Sequence, residues 1–156
     1  MGTRSLTYVE ESWETAIADE DNNNKVHKET QNILCMYRQY DGYLSGHGTE
    51  LAEFLQGFKV VNGLGINNPE KTANGMGCLA AQIVAHFKER PGDIYLYPPE
   101  TEDVGEEYIY YIWIGNSDIH GPNTLFIQIY DKWDGDALFS TTPNELIKTF
   151  NSFSNA

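Results

Sequence analysis

The chain has 156 residues, 40% of them hydrophobic, and this length and composition predict one compact domain over residues 1–156 with its own core. Its net charge is −13, so nucleic-acid phosphates and anionic membrane surfaces would repel it, and neither is expected as a partner. The two cysteines provide no disulfide framework, and no apolar run has the length of a signal peptide or a membrane span, which predicts a cytoplasmic protein.

The first part of the chain predicts two strands joined by a loop. Alternating apolar residues predict a strand from Ser5 to Val9, and the apolar run from Ile33 to Tyr40 predicts a buried strand that pairs with it. Between them, the acidic and polar run from Asp19 to Asn24 lacks apolar anchors. We therefore expect a mobile acidic loop around residues 11–31.

Two amphipathic helices are predicted in the middle of the chain. The first runs from Thr49 to Val61, with Glu50 in the first turn, where the helix dipole favours a negative charge. The second runs from Met76 to Glu89 and is stopped by the Pro-Gly pair that follows. The apolar stripes that define them are Leu51, Phe54, Leu55, Phe58 and Val61 in the first, and Leu79, Ala80, Ile83 and Phe87 in the second.

The last part of the chain predicts a group of strands and a closing helix. The four strands are Asp93 to Tyr97, Glu107 to Ile114, Thr124 to Lys132 and Asp136 to Ser140. The second of these is apolar on both faces and is therefore expected to be central, and Asp134-Gly135 is typical of a tight hairpin turn. Thr142, Pro143 and Glu145 form an N-terminal capping pattern for the helix. Grouped strands and helices predict an α+β fold, a mostly antiparallel sheet with helices packed mainly on one face.

Two glycine-rich turns precede the two central helices, Gly46-His47-Gly48 and Gly75-Met76-Gly77. Glycine lets a backbone approach a ligand closely, and the unpaired amides of a helix N-terminus attract anions. Neither turn matches a Walker A or dinucleotide-binding fingerprint, and ordinary helix initiation is the alternative. The two turns therefore indicate a candidate phosphate site, in which the amides that open both helices face one common hollow that Arg38 also reaches. No metal or cofactor is expected.

Arg38 stands among aromatic residues in the second predicted strand. Such an arginine either pairs with a carboxylate, for which Asp41 is a candidate, or faces a ligand. In the second case a nucleotide base would stack on Tyr40 or Tyr43.

Cys78 lies in the first turn of the second helix, where the dipole lowers a thiol pKa. His47 as a base and Asp41 as its orienting group would complete a cysteine nucleophile if the three residues met. The alternative is a structural cysteine packed beside alanines.

Two stretches carry a resemblance: Met36-Tyr37-Arg38-Gln39-Tyr40-Asp41-Gly42-Tyr43, continuing through Ser45-Gly46-His47-Gly48, and Asn74-Gly75-Met76-Gly77-Cys78-Leu79-Ala80-Ala81. The chain resembles an uncharacterised family of small bacteriophage and bacterial proteins in these motifs. The resemblance supplies no catalytic residues. It implies action against host defences in the host cytoplasm, by sequestering a signalling nucleotide or by blocking a host protein.

The leading hypothesis is a non-enzymatic protein that binds a small anionic, nucleotide-like ligand. Its predicted site residues are Arg38, Tyr40, Tyr43, Gly46, His47, Gly48, Gly75, Gly77 and Cys78. A homo-oligomer would help to complete the pocket, because so small a domain has little room to enclose a nucleotide. The alternatives are an acidic interaction or inhibitor protein that blocks a host macromolecule, and a hydrolase or transferase that uses Cys78.

Overall fold

A computed structural model describes residues 2–18, 24–135 and 137–154. The strands are β1 (Ser5–Ala18), β2 (Asn24–Arg38), β3 (Lys59–Val61), β4 (Thr72–Asn74), β5 (Tyr95–Tyr97), β6 (Tyr108–Ser117), β7 (Gly121–Asp131) and β8 (Ala137–Thr141). The helices are α1 (Thr49–Leu55), α2 (Gly75–Phe87) and α3 (Pro143–Ser154), and a π-helical turn (Leu44–Gly48) directly precedes α1.

Six strands form the main sheet in the order β5-β2-β1-β6-β7-β8. Each neighbouring pair is antiparallel except β1 and β6, which run parallel. The predicted central strand is β6, which pairs on both sides. β3 and β4 form a separate parallel pair that the sequence patterns did not predict.

The two faces of the sheet bury different residues because side chains alternate along each strand. One face carries Val9, Met36 and Tyr110 and packs against apolar residues of all three helices. The other face buries Leu6 and Tyr8 in a smaller cluster, against which no helix of the described ranges packs. The predicted α+β class, with a mostly antiparallel sheet and helices on one face, is confirmed.

The loop predicted around residues 11–31 is wrong for residues 11–18 and 24–31, which belong to β1 and β2. Residues 19–23, which include most of the acidic run, lie outside the described residues. Beyond Val9, β1 pairs with β2 alone among the described strands, so many side chains of this ribbon stay exposed. Side chains 12–14 and 27–31 of the ribbon are exposed, so their sequence carries no apolar alternation from which a strand could be recognised.

The first predicted helix is too long: α1 ends at Leu55, and the last residues of the prediction form β3. Gln56 is already extended, and Gly57 has a φ of 78°, which a residue with a side chain rarely adopts. The apolar residues beyond this point continued the helical spacing by coincidence.

Lys71 holds the C-terminal end of α1. Its ammonium group donates hydrogen bonds to the carbonyl oxygens of Glu53, Phe54 and Gln56, at 3.3, 3.1 and 2.7 Å. A cation at this position satisfies unpaired carbonyls and interacts favourably with the negative end of the helix dipole.

Other predicted features are close to the structure. α2 spans Gly75–Phe87, within two residues of the prediction. The amide of Glu145 donates to the Thr142 hydroxyl at 3.3 Å, so Thr142 caps α3 as predicted. Within the described ranges, no helix has both the length and the apolar character needed to cross a membrane.

Candidate functional site

The backbone from Asp41 to Gly48 folds tightly on itself. The His47 amide donates to the Asp41 carbonyl at 2.7 Å, while the Gly46 and Gly48 amides donate to the Tyr43 carbonyl at 3.0 and 3.3 Å. A Cβ added at Gly46 would overlap the Asp41 carbonyl oxygen. These glycines therefore allow close contact between parts of the protein's own backbone. The prediction that the amides of this turn hold a phosphate is wrong, because all three already have acceptors.

This turn places His47 in the protein interior. Its Nε2 lies 2.7 Å from the Thr7 hydroxyl and its Nδ1 lies 3.2 Å from a guanidinium nitrogen of Arg38. The ring also contacts Phe87 and Tyr110, with centroid separations of 5.0 and 4.9 Å. Since a guanidinium can only donate, Nδ1 must accept, and the imidazole is neutral with its proton on Nε2, directed to Thr7.

The surroundings of His47 oppose its protonation. Burial and, to a lesser extent, the neighbouring Arg38 charge lower the pKa of the imidazole from 6.5 to about 3. His47 therefore positions Arg38 as a neutral acceptor rather than carrying a charge of its own.

Three protein groups fix the guanidinium of Arg38. Besides its bond to the imidazole, it donates through Nε to the Tyr40 carbonyl at 2.9 Å and through Nη1 to the Glu50 carboxylate. The predicted alternative of a carboxylate partner is correct in kind, but the partner is Glu50 rather than Asp41. The Asp41 carboxylate instead accepts a 3.3 Å hydrogen bond from the Tyr43 hydroxyl.

A cavity of about 410 Å³ opens in front of Arg38, where β2 meets the C-terminal end of α2. We call it the Arg38 cavity. Its lining residues are Arg38, Tyr40, Asp41, Glu50, His86, Phe87, Glu89, Arg90, Gly92, Asp93 and Ile94. Arg38 and Tyr40 are thus the two predicted site residues that line it. Tyr43, His47 and the glycines of both turns do not.

Four of the charged side chains that line the Arg38 cavity form two ion pairs. One is Arg38 with Glu50, and the other is Arg90 with Asp93, at 3.7 Å. The Asp93 carboxylate also accepts the amides of Arg90 and Glu89, at 2.6 and 3.1 Å. The hydrogen bond from the Arg90 amide is the largest cause that lowers the pKa of Asp93 below its usual value. The lining contains four carboxylates against two guanidinium groups, so an acidic ligand has to compete with the protein's own anions.

The second predicted turn does not contribute to the Arg38 cavity. Gly75–Gly77 begins α2, whereas His47 contacts Phe87 at its end, about 18 Å away at 1.5 Å per residue. The two helix N-termini therefore do not face a common hollow, and this prediction is wrong. Cys78 is about 13 Å from the position of Phe87 by the same rise, so His47 cannot serve as its base. The Cys78 thiol instead lies 3.6 Å from the Gln82 side-chain oxygen.

Eight residues that the fold brings to the cavity had no predicted site role: Glu50, His86, Phe87, Glu89, Arg90, Gly92, Asp93 and Ile94. They come from α1, from the end of α2 and from the turn after it. Phe87 was predicted as part of the helix stripe, and its ring lies 6.0 Å from the Arg38 guanidinium carbon. No local pattern marks these residues as a group, because tertiary packing alone brings them together.

Comparison of the chain with protein-family models, with curated proteins and with solved structures found no match.

Proposed function

We propose that the protein binds, without turnover, a small anionic ligand with a flat ring, such as a nucleotide, in the Arg38 cavity. The observation that supports this proposal is the fixed guanidinium of Arg38 at the wall of a 410 Å³ cavity. Small-molecule sites typically measure about 300–1,000 Å³ and carry a few well-positioned polar groups. A pre-positioned arginine loses little side-chain entropy when it binds a phosphate or carboxylate.

Glu50 occupies the place that the ligand's acidic group would take. Its carboxylate bonds to Nη1 of Arg38, and its side chain is about half exposed, so it can move into solvent. Nη2 of Arg38 makes no hydrogen bond to any residue within the described ranges. Bidentate binding to Nη1 and Nη2 would then hold the ligand anion once Glu50 has been displaced.

Aromatic residues provide the surface for a flat ring. Tyr40 is 58% exposed at the mouth of the cavity, and Phe87 lies deeper beside the Arg38 guanidinium. Stacking of a base on such side chains contributes about 1–3 kcal/mol and tolerates different bases. On the family resemblance, the ligand would be a signalling nucleotide of the host, which the protein would sequester.

Calorimetric titration tests the proposal with adenosine 5′-monophosphate, 3′,5′-cyclic AMP and cyclic di-GMP. We expect at least one of them to bind, and Arg90→Gln to weaken binding several-fold by removing the second guanidinium group. Arg4→Gln is the matched control, because the Arg4 side chain lies beside Gly105 and not at the cavity. No heat from any nucleotide, or equal losses in both variants, would contradict the proposal. Sedimentation with and without the nucleotide would show whether a homo-oligomer completes the site.

A second candidate function, an acidic interaction protein, is favoured by the ribbon formed by residues 10–18 of β1 and 24–32 of β2. We call it the β-arm. At about 3.3 Å per residue it extends roughly 30 Å past the last β1–β6 pair. A two-stranded ribbon is only marginally stable alone, so contact with a partner would stabilise the β-arm. Trp13 on the β-arm is 39% exposed, and tryptophan is enriched among the residues that contribute most to protein–protein binding.

Shortening the β-arm by removal of residues 12–30, with an Asn-Gly turn in their place, tests this second candidate. If the arm binds a basic host protein, partner recovery should fall with this variant and with added salt, and should be unaffected by Arg90→Gln. Recovery that is independent of the arm would exclude this function.

A further inference from the structure

The face of the sheet opposite the helices carries a second cavity, of about 440 Å³. It is shallow and lies over the N-terminal half of β6 and the C-terminal end of β7. We call it the Tyr111 pocket. Its lining residues are Glu10, Ile109, Tyr111, Gln128, Tyr130, Asp131, Lys132 and Gly135. None of them is a predicted site residue, and none lines the Arg38 cavity.

Two tyrosine rings form a corner of this pocket. Tyr111 and Tyr130 are nearly perpendicular, at 85°, with ring centroids 5.7 Å apart. Tyr8 stacks on Tyr111 at 5.0 Å, and Gln128 donates a 2.7 Å hydrogen bond to the Tyr130 hydroxyl. Both rings are therefore held by their neighbours. Aromatic corners of this kind bind ammonium groups through the negative faces of the rings.

The Glu10 carboxylate lines the same pocket without a partner of its own. It makes no hydrogen bond or ion pair to any residue in ranges 2–18, 24–135 and 137–154. Burial raises its pKa, as expected for a carboxylate that has lost water and gained no compensating cation.

The one ammonium group of the lining is already neutralised. Lys132 Nζ lies 2.8 Å from Asp103 and 3.0 Å from Glu106. Glu10 and Asp131 remain as lining carboxylates that form no ion pair with a described residue, and the backbone amide of Trp133 donates to the Asp131 carboxylate at 2.9 Å. The net charge of −13 also attracts cations at long range.

We propose that the Tyr111 pocket binds a small organic cation, with its ammonium group between the Tyr111 and Tyr130 rings and the Glu10 carboxylate. The aromatic corner, the unpaired carboxylate and the local excess of negative charge favour the same class of ligand. The site lies on the opposite face of the sheet from the Arg38 cavity, so it stands independently of the nucleotide proposal.

NMR titration tests this proposal with choline chloride and with putrescine dihydrochloride, which separate a quaternary from a primary ammonium ligand. The matched probe is 3,3-dimethyl-1-butanol, in which carbon replaces the choline nitrogen, and sodium chloride controls for ionic strength. We expect at least one cation to shift the resonances of Tyr111 and Tyr130, and the neutral probe to leave them in place. Equal shifts from the neutral probe, or no shift from either cation, would overturn the proposal.

Substitutions test whether the Glu10 carboxylate contacts the ammonium group of the ligand. Glu10→Gln should weaken cation binding by about two- to fivefold, since an ion pair at a partly exposed carboxylate contributes about 0.4–1 kcal/mol. Glu11→Gln is the control, because the neighbouring residue of a strand points to the other face of the sheet. Equal weakening by both variants would show only a general effect of net charge and would refute the assigned site.

Discussion

Acid should destabilise this protein through His47. The buried imidazole has a pKa of about 3 in the folded chain, against 6.5 for an unperturbed histidine. Below about pH 6.5 the unfolded chain takes up a proton that the folded chain refuses, so the free energy of unfolding falls as the pH is lowered toward 3. The slope is about 1.4 kcal/mol per pH unit for one proton, which amounts to roughly 3 kcal/mol between pH 6.5 and pH 4.

The variant His47→Gln isolates this contribution. A glutamine amide can donate to Thr7 and accept from Arg38 as the neutral imidazole does, but it does not titrate. Urea denaturation of both proteins at a series of pH values from about 7.5 to 4 gives the two free-energy curves. We expect the variant to be less stable at neutral pH, because it loses ring packing, and to lose less stability on acidification.

The contribution of His47 is the difference between the two proteins in how steeply the free energy of unfolding changes with pH. Carboxylates titrate in both proteins, so their contribution cancels from this difference. His120→Gln controls for removing a histidine, because that side chain is exposed in the turn between β6 and β7. Parallel curves for the wild type and His47→Gln would refute the buried neutral imidazole and the arrangement of Arg38 that depends on it.

Two further predictions concern packing near the π-helical turn, both measured by urea denaturation. Gly46→Ala should lower the free energy of unfolding by about 1–3 kcal/mol, because the added methyl group overlaps the Asp41 carbonyl. Gly77→Ala is the control and should be neutral or stabilising, because Gly77 has open space around it and lies in helix α2. An equal loss of stability at both positions would contradict the predicted overlap at Gly46. Tyr110→Phe should cost about 1–3 kcal/mol, because it leaves the Gly42 carbonyl without its 2.7 Å hydrogen bond, and an unchanged unfolding midpoint would show that water replaces the hydroxyl.

The sequence predicts a helix or strand correctly when one of its faces is buried, because the apolar residues then follow the spacing of that element. The apolar spacing of α2 and the Thr142 cap of α3 each depend on local sequence, and the helix and the cap are both present. The same reasoning failed beyond Val9, where the β-arm is solvated, and at Gly57, where a positive φ ends α1 within an apolar stripe.

The candidate site was predicted only in part, because a glycine-rich turn has more than one physical cause. Gly46 indicated close approach of the backbone, and close approach occurs, but to the Asp41 carbonyl rather than to a ligand. Arg38 and Tyr40 were predicted and line the cavity. Arg90 reaches it through the turn after α2, and this juxtaposition depends on tertiary packing.

The central claim is that Glu50 holds the place of a ligand anion on Arg38. Calorimetric titration of Glu50→Gln with adenosine 5′-monophosphate, beside the wild type, tests it most directly. Because the carboxylate is about half exposed, removing it should tighten binding by a modest factor, about three- to tenfold, and leave the fold intact. Affinity that is unchanged or weaker in Glu50→Gln would contradict the claim.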